Sequence, residues 1–351
     1  MRVLVAMSGG VDSSVAAGLA LEAGHEVVGA TMKLWGGESD SGCCSVADVD
    51  DARRVAQQLG IVHHVFNFSE DFDHHVVDRY VTDHASGRTP NPCIECNRHL
   101  KFDRLFQRAR QLGFDAVATG HHARVEAGPD RRWYLRRGAD PDKDQSYVLY
   151  MLDQERLART LLPIGPMTKT EVRAKAVALG LRTATKADSQ DVCFISKQGG
   201  REVFLGNRIP LRPAGVFDLA GVRVGELPAV ELVTIGQRRG LGLMGRVDPS
   251  PDDDGRRYVV AVQSDQAAVT VGPLSALMTS EIPVGEATWT LGPPDPGEAL
   301  EVQMSAHGRP VGAAWWPDGL ITTRQPVRRV APGQSVVLYR GDTVVGGALA
   351  R

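Results

Sequence analysis

Two cysteines and one serine–glycine loop are the residues of this chain best equipped for chemistry. The loop is Ser8-Gly9-Gly10-Val11-Asp12-Ser13-Ser14. Gly9 and Gly10 permit a tight turn and close approach of backbone to a ligand. Ser8, Ser13 and Ser14 add hydroxyl donors. A helix opening at the end of the loop would offer unpaired N–H groups and a positive dipole end to a phosphate. Asp12 would repel a bare phosphate, so it is expected to cap the helix or to face a metal ion. Cys96 lies in residues 87–98, Gly-Arg-Thr-Pro-Asn-Pro-Cys-Ile-Glu-Cys-Asn-Arg, where a glycine and two prolines force a loop. A helix is expected from about Asn97 to Leu112, with Gly113 as its stop. A thiol near a helix N-terminus, followed by Arg98 and Lys101, has a lowered pKa. Cys93 and Cys96 are also half of a zinc site, although no second pair completes it. Cys193 stands between apolar residues and close to Asp188 and Asp191. A buried, inert thiol and a working partner for Cys96 both fit it.

The elements that must position these groups follow from periodicity. Residues 2–7 read as a buried strand and 15–23 as a helix stopping near Gly24. Residues 25–32 form a second strand, with Met32 at its carboxyl end, where it could pack on an adenine ring or simply fill core. A helix over 46–59, a strand over 61–66, a helix over 72–85 and a strand over 114–119 continue the alternation. Such alternation predicts a parallel α/β sheet that binds ligands at the carboxyl ends of its strands. Gly120 would let a nucleotide approach there, and His121 could contact substrate. His63-His64 and His74-His75 read as surface or supporting residues; the first pair lies on a strand, where neighbours face opposite ways. Cys43 and Cys44 read as structural or incidental.

Arg131, Arg132, Arg136 and Arg137 alternate with Trp133 and Tyr134, which suits either a nucleic-acid patch or a solvated hairpin. Lys143-Asp144-Gln145-Ser146-Tyr147 could contact phosphate and bases. Residues 169–179 form an amphipathic helix. From about residue 206 the helical periods give way to short apolar runs bounded by turns, the pattern of small barrels. Residues 234–242, Thr-Ile-Gly-Gln-Arg-Arg-Gly-Leu-Gly, are a basic glycine-rich loop or a hairpin turn. The expected organisation is a catalytic domain over 1–205, a central domain over 206–271 and a terminal domain over 272–351.

The 351 residues have a formal net charge of −2, so a nucleic-acid partner needs a local patch rather than a global charge. Five cysteines in such a chain argue for thiol chemistry, metal binding or burial, not a disulfide scaffold. No apolar run reaches membrane-span length and the N-terminus lacks a signal-peptide pattern, so a cytoplasmic protein with no membrane partner is expected.

The Ser8–Ser13 loop resembles the SGGxDS pyrophosphate loop of the N-type ATP pyrophosphatases, which cut ATP between its α- and β-phosphates and adenylate a substrate oxygen. Taken with residues 87–97, Ala-Thr-Gly-His-His-Ala-Arg at 118–124, residues 143–147, 188–195, 234–242, Pro-Gly-Gln-Ser at 332–335 and Gly346-Gly347, the chain resembles the bacterial tRNA-specific 2-thiouridylases over nearly its full length. The resemblance implies α/β followed by β. An adenine-nucleotide α-hydrolase-like, doubly wound PP-loop domain comes first, then a small, mainly β central domain and a C-terminal β-barrel. It implies ATP with Mg²⁺, and transfer of a persulfide sulfur to C2 of the wobble uridine in tRNAs for Lys, Glu and Gln. A cysteine desulfurase or sulfur carrier is the implied donor.

By position, Cys96 matches the family's nucleophile and Cys193 its persulfide carrier, the two forming a transient disulfide. Ala6, Met7, Ser8, Gly9, Gly10, Val11, Asp12, Ser13, Met32 and Gly120 match ATP-binding positions. Asn91, Pro92 and Cys93 match the target-base segment, and His121, Lys143, Asp144, Gln145 and Gln334 match tRNA contacts. Cys93 stands where many members have Asp and His122 where Tyr is common. Gln303-Met304-Ser305 replaces a basic or aromatic pair. Three alternatives stand beside this reading. An amide ligase would share the loop without needing both cysteines. An iron–sulfur enzyme would use Cys93, Cys96 and Cys193 as cluster ligands. A non-catalytic protein would bind tRNA without consuming ATP.

Overall fold

A computed structural model of the chain describes residues 1–34, 45–188, 192–195, 199–245 and 255–351. Cys43 and Cys44, with Ser189, Gln190, Asp191 and Ser196, lie outside the described residues. β1 (Arg2–Ala6) leads into α1 (Val11–Glu22), β2 (Glu26–Lys33), α2 (Val46–Gln58) and β3 (Val62–Asn67). Along β1, Val3 and Val5 enter one buried cluster while Leu4 and Ala6 enter another. Period-two alternation sends them to opposite faces, and covering both faces is what a parallel strand requires. A capping box opens α2: the Ser45 side chain accepts from the Asp48 N–H and the Asp48 carboxylate accepts from the Ser45 N–H.

β4 (Ala116–Ala118) pairs with β1 on the side away from β2. β5 (Ala123–Ala127) and β6 (Trp133–Arg137) form a hairpin, and β7 (Thr160–Leu161) pairs with β4. The first sheet runs β3-β2-β1-β4-β7, all parallel. The chain moves outward one way from β1 and then returns on its other side. The topological switch point therefore lies between β1 and β4, beside the loops that follow them.

The central sheet is built from β8 (Ala214–Phe217), β9 (Arg223–Leu227), β10 (Tyr258–Gln263) and β11 (Ala268–Gly272), in the order β10-β11-β8-β9. The last sheet holds β12 (Met278–Pro283), β13 (Thr288–Trp289), β14 (Leu300–Gln303), β15 (Val311–Trp316), β16 (Leu320–Arg328), β17 (Ser335–Arg340) and β18 (Thr343–Leu349). The β5–β6 hairpin joins this third sheet, through pairing of Arg136 with Thr343. The hairpin thus belongs by sequence to the first third of the chain and by hydrogen bonding to its end.

Its arginines are largely used in that junction. Arg124 and Arg136 both donate to Asp342, at 2.9 and 2.6 Å, and the Arg137 guanidinium lies 3.7 Å from the Tyr339 ring centroid. The structure therefore spends two of the four patch arginines, Arg136 and Arg137, on internal pairing, while Arg131 and Arg132 stay exposed. His63 bonds Thr31 at 2.9 Å while His64 is exposed, as opposite faces require. Among the described residues no helix is long and apolar enough to cross a membrane.

Candidate active site

The switch-point loop is knitted by its own serines. Ser14 Oγ donates to the Gly10 carbonyl at 2.7 Å, Ser13 Oγ donates to the same carbonyl at 3.2 Å, and the Ser8 N–H donates to Ser13 Oγ at 3.1 Å. Ser13 and Ser14 are buried, so their hydroxyls hold the loop's shape, and Ser8 is the exposed one. Gly9 has φ +75°, and a Cβ there would lie 2.2 Å from the Asp48 carbonyl oxygen. Gly10 caps α1 with no side-chain hydrogen bond to the helix. The first-turn N–H groups thus lack a side-chain cap, and an anion such as a phosphate would satisfy them.

Asp12 does not cap the helix. Both of its oxygens accept from Lys169 Nζ at 2.7 Å, and His122 Nε2 lies 3.3 Å from Oδ1. Lys169 is the first residue of the Lys169–Ala178 helix, set by a second capping box between Thr168 and Glu171. The same ammonium reaches Asp188 at 2.9 Å, and Asp188 also accepts from Lys143 at 2.8 Å and Arg173 at 2.9 Å. Lys186 donates to the Gly9 carbonyl at 3.0 Å and to Asp48 and Asp51 at 2.7 and 2.8 Å. Three lysines therefore converge on the loop and its acid neighbours. Burial pushes the Asp12 carboxyl up, but hydrogen bonds from His122 and Lys169 outweigh it and hold the group below the usual range.

Burial acts the same way on Asp188, and hydrogen bonds from Lys143 and Lys169 bring it down to about 2. Its folded value lies below the ordinary 3.8, so its stabilisation is complete above that value and is lost as pH falls towards 2. Acid unfolding followed by ellipticity should therefore lose steepness in that window in Asp188→Asn. A profile identical to wild type would remove the linkage.

Gly120 follows β4 and packs on the loop itself: a Cβ there would lie 2.6 Å from the Ser13 nitrogen and 2.7 Å from the Asp12 carbonyl carbon. The glycine is needed for backbone on backbone, whatever else approaches it. Gly120→Ala should lower stability by about 1–3 kcal/mol, because neither backbone can swing aside. A wild-type urea midpoint would show that the loop yields freely. Met32 is buried beside Leu34 in the core, and Ala6, Met7 and Val11 are buried too. His121 is buried, its Nδ1 is 2.7 Å from Thr119 Oγ1, and burial together with Lys101 and His122 holds it well below the imidazole range. It is therefore neutral at physiological pH and cannot meet phosphate as a cation.

The cysteine segment starts one turn earlier than its prolines suggest. Asn91 caps a helix that begins at Pro92, its side chain accepting from the Cys93 N–H, and helical pieces Pro92–Glu95, Cys96–Arg104 and Leu105–Gln111 follow without a break. Cys93, not Cys96, occupies the first turn and is exposed; Cys96 is buried at 7% exposure. The dipole of the helix end acts within the first turn, so it favours a thiolate at Cys96 less than the sequence suggests. Glu95, missed at the sequence level, is buried beside Cys96, with Arg79 at 2.9 Å and His99 at 3.3 Å.

Cys193 is half-buried and packs against the same hydrophobic cluster that contains Cys96. Its neighbour Phe194 anchors it, with ring centroids 5.7 Å from Phe72, 5.3 Å from Tyr80 and 5.0 Å from Phe204. The fold thus brings into one core two cysteines that are far apart in sequence. Among the described residues no group of three or more His, Cys, Asp or Glu could hold a metal ion, so Cys93, Cys96 and Cys193 do not form a cluster-binding set.

The remaining expected contact residues are partly spent within the protein. Asp144 accepts from Arg137, the Gly138 N–H and Ser146, while Gln145 accepts from the His122 N–H at 2.9 Å. Lys143 belongs to the Asp188 network, and Gln334 donates to the Thr89 carbonyl. Lys169 and Lys186 were not legible as site residues; the only signal was their place in or after a capped helix that closes back on the first sheet.

Three family models cover the chain: a tRNA methyl transferase HUP domain over residues 1–197, a tRNA methyl transferase PRC-barrel domain over 202–273 and an aminomethyltransferase beta-barrel domain over 279–350. The tRNA-specific 2-thiouridylase MnmA of Chloroflexus aurantiacus (strain ATCC 29366 / DSM 635 / J-10-fl) is 47% identical over 99% of this chain and 97% of its own. That of Mycolicibacterium smegmatis is 47% identical over 99% of both. Among solved structures, a 4-thiouridine synthetase–RNA complex with bound ATP aligns at a TM-score of 0.36 and 19% identity, over 55% of this chain and 44% of that one. A HUP-type α/β domain, a PRC-type barrel and a terminal β-barrel in this order, with near-half identity along the whole length, place the chain in the tRNA-specific 2-thiouridylase family.

Proposed function

We propose that the chain is an ATP-dependent tRNA sulfurtransferase that converts the wobble uridine of tRNAs for Lys, Glu and Gln to 2-thiouridine, with AMP and pyrophosphate as the other products. The observation that carries this reading is the pairing, on one domain, of an uncapped helix end ringed by lysines with two cysteines on a shared core cluster. Phosphates of ATP are the ligand such a helix end accepts. Mg²⁺ belongs with those phosphates, where it would supply counter-charge; Asp12 is the loop's own carboxylate and would have to exchange Lys169 to reach it.

A uracil C2 oxygen is a poor leaving group, and adenylation makes it a good one. The terminal sulfur of a Cys193 persulfide then forms a bond to C2 as the C2–O bond breaks and AMP departs. The Cys96 thiolate next attacks the Cys193 sulfur, the S–S bond of the adduct breaks, and its electron pair stays with the sulfur on the base. The products are 2-thiouridine and a Cys96–Cys193 disulfide, which a cellular thiol reductant reopens before the next turnover. Asn91, Pro92 and Cys93, of which Cys93 is exposed, lead into the Cys96 helix and would meet the target base, which must leave its stack to arrive there. The sulfur donor would be a cysteine desulfurase or a carrier protein, and the reaction would take place in the cytoplasm.

The test is mass spectrometry of nucleosides from unmodified tRNA for Glu, incubated anaerobically with the protein, ATP, Mg²⁺ and a sulfide source. A mass gain of sulfur for oxygen at the wobble uridine, dependent on ATP and on Cys193, supports the reading. AMP release with no sulfur gain on that tRNA would overturn it in favour of another adenylated acceptor.

A further inference from the structure

Asp188 stands where the Ser8–Ser14 loop and the segment leading to Cys193 are tied together. Its carboxylate accepts from three cations: Lys143 at 2.8 Å, Lys169 at 2.9 Å and Arg173 at 2.9 Å. Lys169 carries the contact on to the loop, since the same ammonium donates to both oxygens of Asp12 at 2.7 Å. Arg173, on the Lys169–Ala178 helix, also donates to the carbonyls of Ala184 and Lys186, at 2.9 and 3.0 Å. Residues 184–188 are thereby strapped to that helix at Ala184, Lys186 and Asp188. The strap also grips the loop directly: Lys186 donates to the Gly9 carbonyl at 3.0 Å, and Asp48 and Asp51 hold the same ammonium. Cys193 follows Asp188 by five residues.

We propose that Asp188 is a positioning residue for both halves of the reaction: it holds the Lys169 ammonium at the Ser8–Ser14 loop and fixes the start of the segment that carries Cys193. The proposal rests on the thiouridylase reading for its kinetic consequence but not for its geometry. Lysine is a point charge on a long flexible stem, so its place depends on what receives it. Lys169 has two receivers, and Asp12 is the one that a cation arriving with the phosphates of ATP would draw off. Asp188 then remains as the carboxylate that keeps the ammonium beside the loop. It cannot follow the lysine away, because Lys143 and Arg173 hold it as well. Charge gives the effect on the nucleotide its sign. An acid beside a phosphate site repels the ligand, so Asp188 weakens ATP binding and contributes placement instead. A displacement on the order of 1 Å at a reacting group costs up to about a hundredfold in rate.

The experiment starts from Asp188→Asn, which keeps the size of the side chain and removes its charge. Expected is a fall in kcat for pyrophosphate release, with tRNA for Glu present, of about tenfold or more. ATP affinity, read by titration calorimetry, should be unchanged or tighter. Nucleotide-free protein supplies two further readouts by peptide mass spectrometry. Lys169 should be acylated faster by acetic anhydride, and Cys193 alkylated faster by iodoacetamide, than in the wild type. Asp188→Glu restores the charge and should recover part of the lost rate. Arg173→Met unties the strap but leaves Lys169 paired, so it should speed the Cys193 alkylation alone. Weaker ATP binding with wild-type kcat would overturn the proposal and make Asp188 a support for the shape of the loop. Unchanged labelling of either Lys169 or Cys193 in Asp188→Asn would overturn it as well. If Asp188→Asn fails to fold, Asp188→Glu and Arg173→Met carry the same measurements. A wild-type protein that thiolates no tRNA would defeat the functional reading alone, because both labelling rates are read without nucleotide or RNA.

Discussion

Serine at position 193 should abolish 2-thiouridine formation while ATP is still split to AMP and pyrophosphate. The two halves of that outcome come from different parts of the fold. Cys193 packs on the cluster that contains Cys96, on one face of the first sheet, and its segment is anchored by the Phe194 ring. Replacing sulfur by oxygen removes one atom's chemistry and little packing, so the aromatic knot of Phe72, Tyr80, Phe194 and Phe204 stays intact. The Ser8–Ser14 loop hangs from β1 and is held by Lys169 and Lys186. The loss of thiolation should reach the order of 10³-fold or more, the scale on which enzymes lose rate when a covalent nucleophile is removed. Cys96→Ser should cost as much and should leave sulfur on Cys193, visible as a 32-dalton gain (about one sulfur atom) on its peptide after loading. Thiolation persisting in the double variant would sink the two-cysteine scheme outright. The measurement is nucleoside mass spectrometry beside a pyrophosphate release assay.

The second large effect is expected at Lys169. Its ammonium is 11% exposed and bridges Asp12 and Asp188, whose side chains are 30% and 22% exposed. Lys169→Ala would leave two partly buried carboxylates facing each other across the space it filled. Asp188 keeps Lys143 and Arg173 and Asp12 keeps His122, so the cost to stability should be about 1–3 kcal/mol, the scale of losing charge-assisted hydrogen bonds. The effect on ATP use should be larger than the effect on stability. The lysine stands beside the uncapped end of α1, where a second source of positive charge would stabilise a departing pyrophosphate, an effect worth about 10²–10³ in rate when one such group is lost. Lys169→Arg keeps the charge and should retain more activity than Lys169→Ala, though less than wild type because the planar fork cannot place one nitrogen against both Asp12 oxygens. Urea midpoints and pyrophosphate release separate the two components. An alanine variant that turns over ATP normally would confine Lys169 to a structural role.

Much of this protein is written in its sequence. The Ser8–Ser14 loop, the strand before it and the helix after it are local patterns: an apolar run, two glycines, then residues with a helical period. The helices expected from residues 46 and 169 begin there, and the capping boxes that open them at Ser45 and Thr168 act over three residues. The presence of two cysteines beside a phosphate-suited loop is visible in residue identity, and its reading as an ATP loop follows from the resemblance. The start of the Cys96 helix, expected near Asn97 and found at Pro92, has a local cause. Pro92 was counted as a breaker, although proline is favoured at the first helical position when a residue such as Asn91 caps ahead of it.

What the tertiary structure decided lies at long range. Asp12 meets Lys169 across 157 positions of sequence, Arg124 meets Asp342 across 218, and Gln334 meets Thr89 across 245. No propensity or period spans such distances, and a lysine or glutamine side chain carries no mark of which carboxylate or carbonyl will receive it. The β5–β6 hairpin shows the same limit for backbone: its alternation predicts a hairpin, but its free edge could pair with any sheet, and only the folded chain brings Thr343 opposite Arg136. Sequence therefore determined which groups can do the chemistry. The fold decided which of them are free to do it, by spending the others on one another.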